Sequence, residues 1–160
     1  YLVPANDNGA GQIVAAGALD KIEVLIENPP AGARVRALAV AGAFHTHYMQ
    51  NAVSHVSQFV SGIQINEPLA QLLSNKDGLA VENGADAINR IVNQIANPVI
   101  WDLCMESLVK LGVTGAIEFP PAGTLVGLLK RATPVIETFA LKSPDDLIAA
   151  KEFAIKHGGA

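Results

Sequence analysis

The chain has 160 residues, enough for one domain with its own core, and half of them are hydrophobic. A net charge of −4 and 5% aromatic residues leave no basic, base-stacking footprint for nucleic acid, and no apolar run approaches the roughly 20 residues of a membrane helix. Only 16% of residues are charged, against about 25% in an ordinary domain, which points to surfaces that meet other protein.

The single cysteine, Cys104, rules out an internal disulfide and fits a reducing, cytoplasmic compartment. The first residues carry no signal-peptide pattern. The chain begins at Tyr1 on a short apolar segment, so a fragment of something longer is expected.

In chain order, residues 1–5 read as a short strand. Asn6-Asp7-Asn8-Gly9-Ala10-Gly11 reads as a turn, and residues 12–16 as a second strand. Leu19, Ile22 and Ile26 fall at helical spacing until Asn28-Pro29-Pro30 stops them. Residues 34–41 are predicted as a strand, buried on both faces as it nears His45. Met49, Val53, Val56, Val60 and Ile63 give a helix over 48–62. Residues 72–75 suggest a short buried strand, turned by Lys76-Asp77-Gly78.

A helix follows over 85–95, with Ile88, Ile91, Val92 and Ile95 inward, and another over 101–111, ended by Gly112. The rest alternates: a strand at 115–119, a helix at 124–131, a strand at 135–141, and a last helix. That helix starts at Ser143-Pro144-Asp145-Asp146 and stops at Lys156-His157-Gly158-Gly159. Alternation of strands and helices makes the class α/β.

Common catalytic motifs are absent: the chain has no Gly-x-Ser-x-Gly elbow, no P-loop lysine and no dinucleotide fingerprint. Pro120-Pro121-Ala122-Gly123 precedes a helix start and reads as a strand-to-helix loop, with an anion seat as the alternative. His45 and His47 are too few for a metal site, since no third ligand stands at a suitable spacing, and no metal or cofactor is called for.

His45 itself leaves two readings open. One is a packed, hydrogen-bonded histidine; the other is a general base held at a strand-to-helix junction. No serine in the chain has a setting suited to activation by it, so its nucleophile would lie elsewhere. Cys104 reads as a packed thiol.

Five stretches then combine. They are Asn6-Asp7-Asn8-Gly9-Ala10-Gly11-Gln12, Gly42-Ala43-Phe44-His45, Ser74-Asn75-Lys76-Asp77-Gly78, Gln94 to Trp101, and Glu118 to Arg131. In order and spacing the series resembles the C-terminal half of the malonyl-CoA:acyl carrier protein transacylases.

The resemblance implies a fold in which residues 1–44 are part of an inserted ferredoxin-like small subdomain. Residues 45–160 would be the C-terminal part of an α/β-hydrolase-like acyltransferase subdomain. It implies transfer of malonyl from malonyl-CoA to the phosphopantetheine thiol of acyl carrier protein through a seryl intermediate, in fatty-acid biosynthesis. The serine and the arginine that clamps the malonyl carboxylate would both belong to the missing N-terminal half. None of Arg34, Arg36, Arg90 and Arg131 matches that clamp.

By the same resemblance His45 matches the general base and Gln94 the residue whose main-chain carbonyl holds it. Asn8 and Asn6 match asparagines near the active site, with a turn role as the alternative. Phe44 is similar to the bulky residue of malonyl-selective acyltransferase domains, where a ring crowds the position of an extra methyl group. Lys110, Lys130 and Arg131 are possible carrier-protein contacts, with a solvated face as the alternative. A domain of a polyketide or fatty-acid megasynthase and a non-catalytic binding module remain the competing functions.

Overall fold

The computed structural model describes residues 1–158, so the Gly159 end of the expected helix stop lies outside the described residues. Strand β1 (Leu2–Asp7) turns back into β2 (Ile13–Gly17), pairing antiparallel from Leu2↔Gly17 to Asp7↔Ile13. The carboxylate of Asp7 accepts the Gly9 N–H at 3.0 Å, and Gly9, Ala10 and Gly11 all take positive φ. The turn is therefore tighter than expected, because Asn6 and Asp7 still belong to the ladder. Gly9 suits the turn by its φ of 73°, and a Cβ there would press on the Met105 methyl at 2.9 Å.

Helix α1 (Leu19–Glu27) follows, and a long irregular coil with short turns runs on to His45. A 3-10 turn (His47–Met49) leads into α2 (Gln50–Val60). Helix α3 (Gly84–Gln94) packs on α2 around Val53, Val92 and Ala96, with Met49, Val56, Val60, Ile88 and Ile95 closing the cluster. Beyond it β3 (Val99–Ile100) adds to β1 in parallel, Asn6 opposite Val99 and Asp7 opposite Ile100, giving the order β2-β1-β3.

The rest forms a second unit. Helix α4 (Trp101–Lys110), β4 (Gly115–Glu118), α5 (Thr124–Ala132) and β5 (Glu137–Ala140) enclose Met105, Leu129 and Ile136, with β4 and β5 parallel. A capping box then opens the last helix. The Asp146 carboxylate accepts from the Ser143 N–H at 3.0 Å and the Lys142 N–H at 2.9 Å, and the Pro144–Asp146 turn continues as α6 (Leu147–His157). Those two amides hold the Asp146 carboxyl below its ordinary range.

Four expectations need correction. Residues 34–41 form no strand: they have no ladder partner among the described residues, and Leu38 and Val40 are 59% and 66% exposed. An apolar run signals a buried strand only where a neighbouring strand takes up its backbone groups. Residues 72–75 make a single bridge, Leu73 to Ala80, rather than a strand. Ile91 points away from the α2–α3 cluster and is 60% exposed, because at 100° per residue it lies too far round from Ile88 and Val92. The last strand is shorter than 135–141, since Val135 is exposed and the ladder begins at Glu137.

Candidate active site

His45 stands where the irregular coil meets the turn into α2, and two hydrogen bonds from α3 hold it. Its backbone N–H donates to the Ile95 carbonyl at 3.0 Å, and its ring Nδ1 lies 2.7 Å from the Gln94 carbonyl oxygen. A carbonyl only accepts, so Nδ1 carries the hydrogen and Nε2 keeps its lone pair. The backbone is left-handed here, with φ of 62°. A non-glycine residue holds that conformation only under external restraint, which the two α3 carbonyls provide.

Thr46 completes the junction. It is 2% exposed, donates from Oγ1 to the Ala43 carbonyl at 2.7 Å and accepts the Tyr48 N–H at 3.3 Å. That side chain caps the turn that starts α2.

His45, Phe44 and Gln94 line one cleft of about 530 Å³, shared with Met49, Leu72, Asn75 and Ile91. The misassigned Ile91 is thus a cleft wall rather than a core residue. Phe44 is half-exposed over the opening.

Asn6 and Asn8 do not line this cleft. Asn6 sits in the β1 ladder and Asn8 closes the hairpin with its N–H on the Gln12 carbonyl at 2.9 Å. Their link to the site is indirect: β1 pairs with β3, and the Ile100 N–H donates to the Asn75 carbonyl at 2.7 Å. His47 is exposed and stacks on Tyr48, with ring centroids 4.2 Å apart. Among the described residues no group of three side chains is placed to hold a metal.

Ser74 and Asn75, which line the cleft with His45, belong to the turn 74–78. Gly78 has φ of 71°, and a Cβ there would come 2.5 Å from the Leu103 backbone, so this turn lies directly on α4. Arg90 ties the turn to α3. Its Nη1 meets both oxygens of Asp77 at 2.8–2.9 Å and its Nε both oxygens of Asp86 at 2.8–2.9 Å. The Arg90 hydrogen bond, reinforced by the Glu82 N–H, holds the Asp86 carboxyl below its ordinary range. With both acids engaged, Arg90 acts as a strut and not as a free anion clamp. The sequence offered half of this: Asp86 and Arg90 stand four apart on a helix, whereas nothing in the spacing pointed to Asp77.

Cys104 lies behind the same turn, 2% exposed, and donates to the Ser74 carbonyl at 3.3 Å. Burial, with the Asp77 and Asp102 charges adding to it, pushes the thiol up to about 11, so it is a packed thiol.

The loop before α5 is not an open anion seat either. The Glu118 carboxylate accepts from the N–H groups of Gly123, Leu125 and Val126 at 2.8–3.0 Å. Burial would raise its pKa, but these amides outweigh that and hold the carboxyl low. An acid six residues ahead of the helix, across a Pro-Pro pair, carries no cap signature in the sequence. Of the surface cations, Lys110 pairs with Glu106 at 3.3 Å and Arg131 donates to Gln12 at 2.6 Å, while Lys130 is exposed.

No family profile matches the chain. A malonyl CoA-acyl carrier protein transacylase of Mycolicibacterium smegmatis is 52% identical over 150 residues, which is 91% of this chain and 52% of that protein. The chain is similar to about half of such an enzyme. The crystal structure of the corresponding Mycobacterium tuberculosis protein superposes with a TM-score of 0.87 at 52% identity, covering 91% of this chain and 48% of that one. A malonyl-transacylase solved in complex with a type II polyketide-synthase acyl carrier protein superposes at 0.84 with 31% identity, covering 95% and 50%. The chain therefore spans about half the length of the curated relatives it matches, and its α/β architecture is theirs over that span. Among the described residues no helix is long and apolar enough to cross a membrane.

Proposed function

We propose that this chain is the base-bearing, C-terminal part of a cytoplasmic malonyl-CoA:acyl carrier protein transacylase of fatty-acid biosynthesis. In this reading residues 1–44 belong to a ferredoxin-like small subdomain, and residues 45–160 complete an α/β-hydrolase-like one. The serine and the malonyl clamp come from the missing N-terminal half. The observation that carries the reading is the 2.7 Å contact between His45 Nδ1 and the Gln94 carbonyl, which leaves Nε2 free to accept a proton.

His45 Nε2 then takes the serine hydroxyl proton as the oxygen attacks the malonyl thioester carbon. The C–S bond breaks, and the coenzyme A thiolate leaves with the proton from the imidazolium. In the second step the phosphopantetheine thiol of acyl carrier protein gives its proton to the same nitrogen and attacks the seryl ester. The serine oxygen recovers the proton. The C-terminal end of α3, where Gln94 lies, favours the positive charge that forms transiently on the ring. In this reading Phe44 crowds the acyl site against a branched substrate, and Asn8 and Asn6 correspond to asparagines near the active site.

The test joins this chain to the nucleophile-bearing half and follows malonyl transfer to acyl carrier protein. His45→Ala should lower kcat by about 100- to 10,000-fold, the usual weight of a general base. Wild-type turnover by that variant, or turnover by the 160-residue chain alone, would overturn the reading.

A further inference from the structure

Gln94 offers His45 only a backbone carbonyl, yet its side-chain NH2 group is also engaged. The amide nitrogen Nε2 donates to the Asn97 carbonyl at 2.8 Å and to the Pro98 carbonyl at 2.6 Å. Two carbonyl acceptors identify that atom as the NH2 group, because the amide oxygen could satisfy neither. Gln94 is the last residue of α3, where helix carbonyls lose their partners and the chain is free to fray. The segment just beyond it has to do two things. It must aim the Gln94 and Ile95 carbonyls back at His45, and it must run forward into β3, which starts at Val99.

We infer that the Gln94 side chain is a positioning device. By folding over its own helix end onto residues 97 and 98, it fixes the orientation of its own carbonyl and thereby the ring tautomer of His45. Pro98 has no N–H to hold the segment by itself, and the Asn97 N–H bond to the Gln94 carbonyl is long, at 3.3 Å. The side-chain fork is thus the shorter, two-point restraint on the same turn. A side chain of the same length without donors keeps the carbonyl but releases its aim. Asparagine would be one carbon too short to reach both acceptors.

This rests on the proposed role of His45 as base, so the experiment carries one readout that does not depend on turnover. Gln94→Met and Gln94→Glu are made both in the 160-residue chain and in the complete enzyme proposed above. Ring-nitrogen chemical shifts of His45 are recorded in the chain, and malonyl transfer in the enzyme. The wild-type ring should show the hydrogen on Nδ1. In both variants that preference should relax toward the Nε2–H form that imidazole favours in water. The enzyme should lose kcat by about 10- to 100-fold, as expected for a misaimed catalytic group, with KM for malonyl-CoA unchanged.

At neutral pH the Glu variant sets a carboxylate against two carbonyl oxygens and should fall at least as far as the Met variant. It also supplies the answer if the Met variant fails to fold. Unchanged ring shifts and unchanged kcat in a folded variant overturn the clamp and leave His45 as base untouched. A fully active His45→Ala overturns the base and leaves the nitrogen shifts to judge the clamp.

Discussion

From Leu19 to Phe44 no side chain is buried, and α1 leaves Leu19, Val24 and Ile26 to solvent. From α3 to α6 the same apolar composition is folded inward: Val92, Ala96, Met105, Leu129, Ile136, Leu141 and Ala150 are all at most 8% exposed. His45 stands at the border and is anchored entirely from the second region, through Gln94 and Ile95. A side chain can therefore be held in place by one part of a molecule while standing at the edge of another. The junction is hydrogen-bonded where it meets the end of α3 and bare along residues 34–41.

The sharpest way to break this contrast is to cut equal volumes from the two regions. Leu129→Ala removes a side chain 3% exposed between Met105 and Ile136 and should cost about 2–5 kcal/mol of unfolding free energy. Leu38→Ala, at 59% exposed, should stay within about 0.5 kcal/mol of wild type. Urea titration of the two variants decides the point; equal losses would mean that residues 34–41 pack far more closely than this.

A smaller effect is expected at the strut beneath the cleft. Arg90→Met leaves Asp77 and Asp86 facing each other without their cation, so the urea midpoint should fall at pH 7. The folded Asp86 carboxyl titrates below its ordinary value. Its contribution is therefore complete above about pH 5 and is lost as pH drops through that lowered pKa. The variant lacks this contribution at every pH, so the gap between the two midpoints should be open at pH 7 and narrow as pH falls through that lowered pKa. A constant gap would show that Arg90 acts through packing rather than charge.

Much of the fold was legible because it rests on local signals. The Ser143-Pro144-Asp145-Asp146 start became a capping box, and the 3.6-residue spacing of Ile88, Val92 and Ile95 became the α3 face of a core cluster. The failures share a cause. Residues 34–41, Ile91 and residues 72–75 were read as buried because they are apolar, but burial depends on what covers a segment, which its own residues do not encode. The site divided in the same way. Phe44, His45 and Gln94 line one cleft. The Asp77–Arg90 link and the Gln94 side-chain fork depend on loops whose course has no sequence period.

The smallest effect on the chain itself should be the most informative about its surface. Leu38→Ser with Val40→Ser exchanges two largely exposed apolar side chains for hydroxyls that water already reaches, so the urea midpoint of the 160-residue chain should hardly move. The same substitutions should weaken binding of the nucleophile-bearing half, measured by titration calorimetry. Two such side chains removed from water would each contribute about 1.5–3 kcal/mol to the contact if fully covered. A surface that stays wet in the assembled enzyme would show no change in either measurement. In that case the exposed apolar side chains of this stretch would have to serve a partner other than the nucleophile-bearing half.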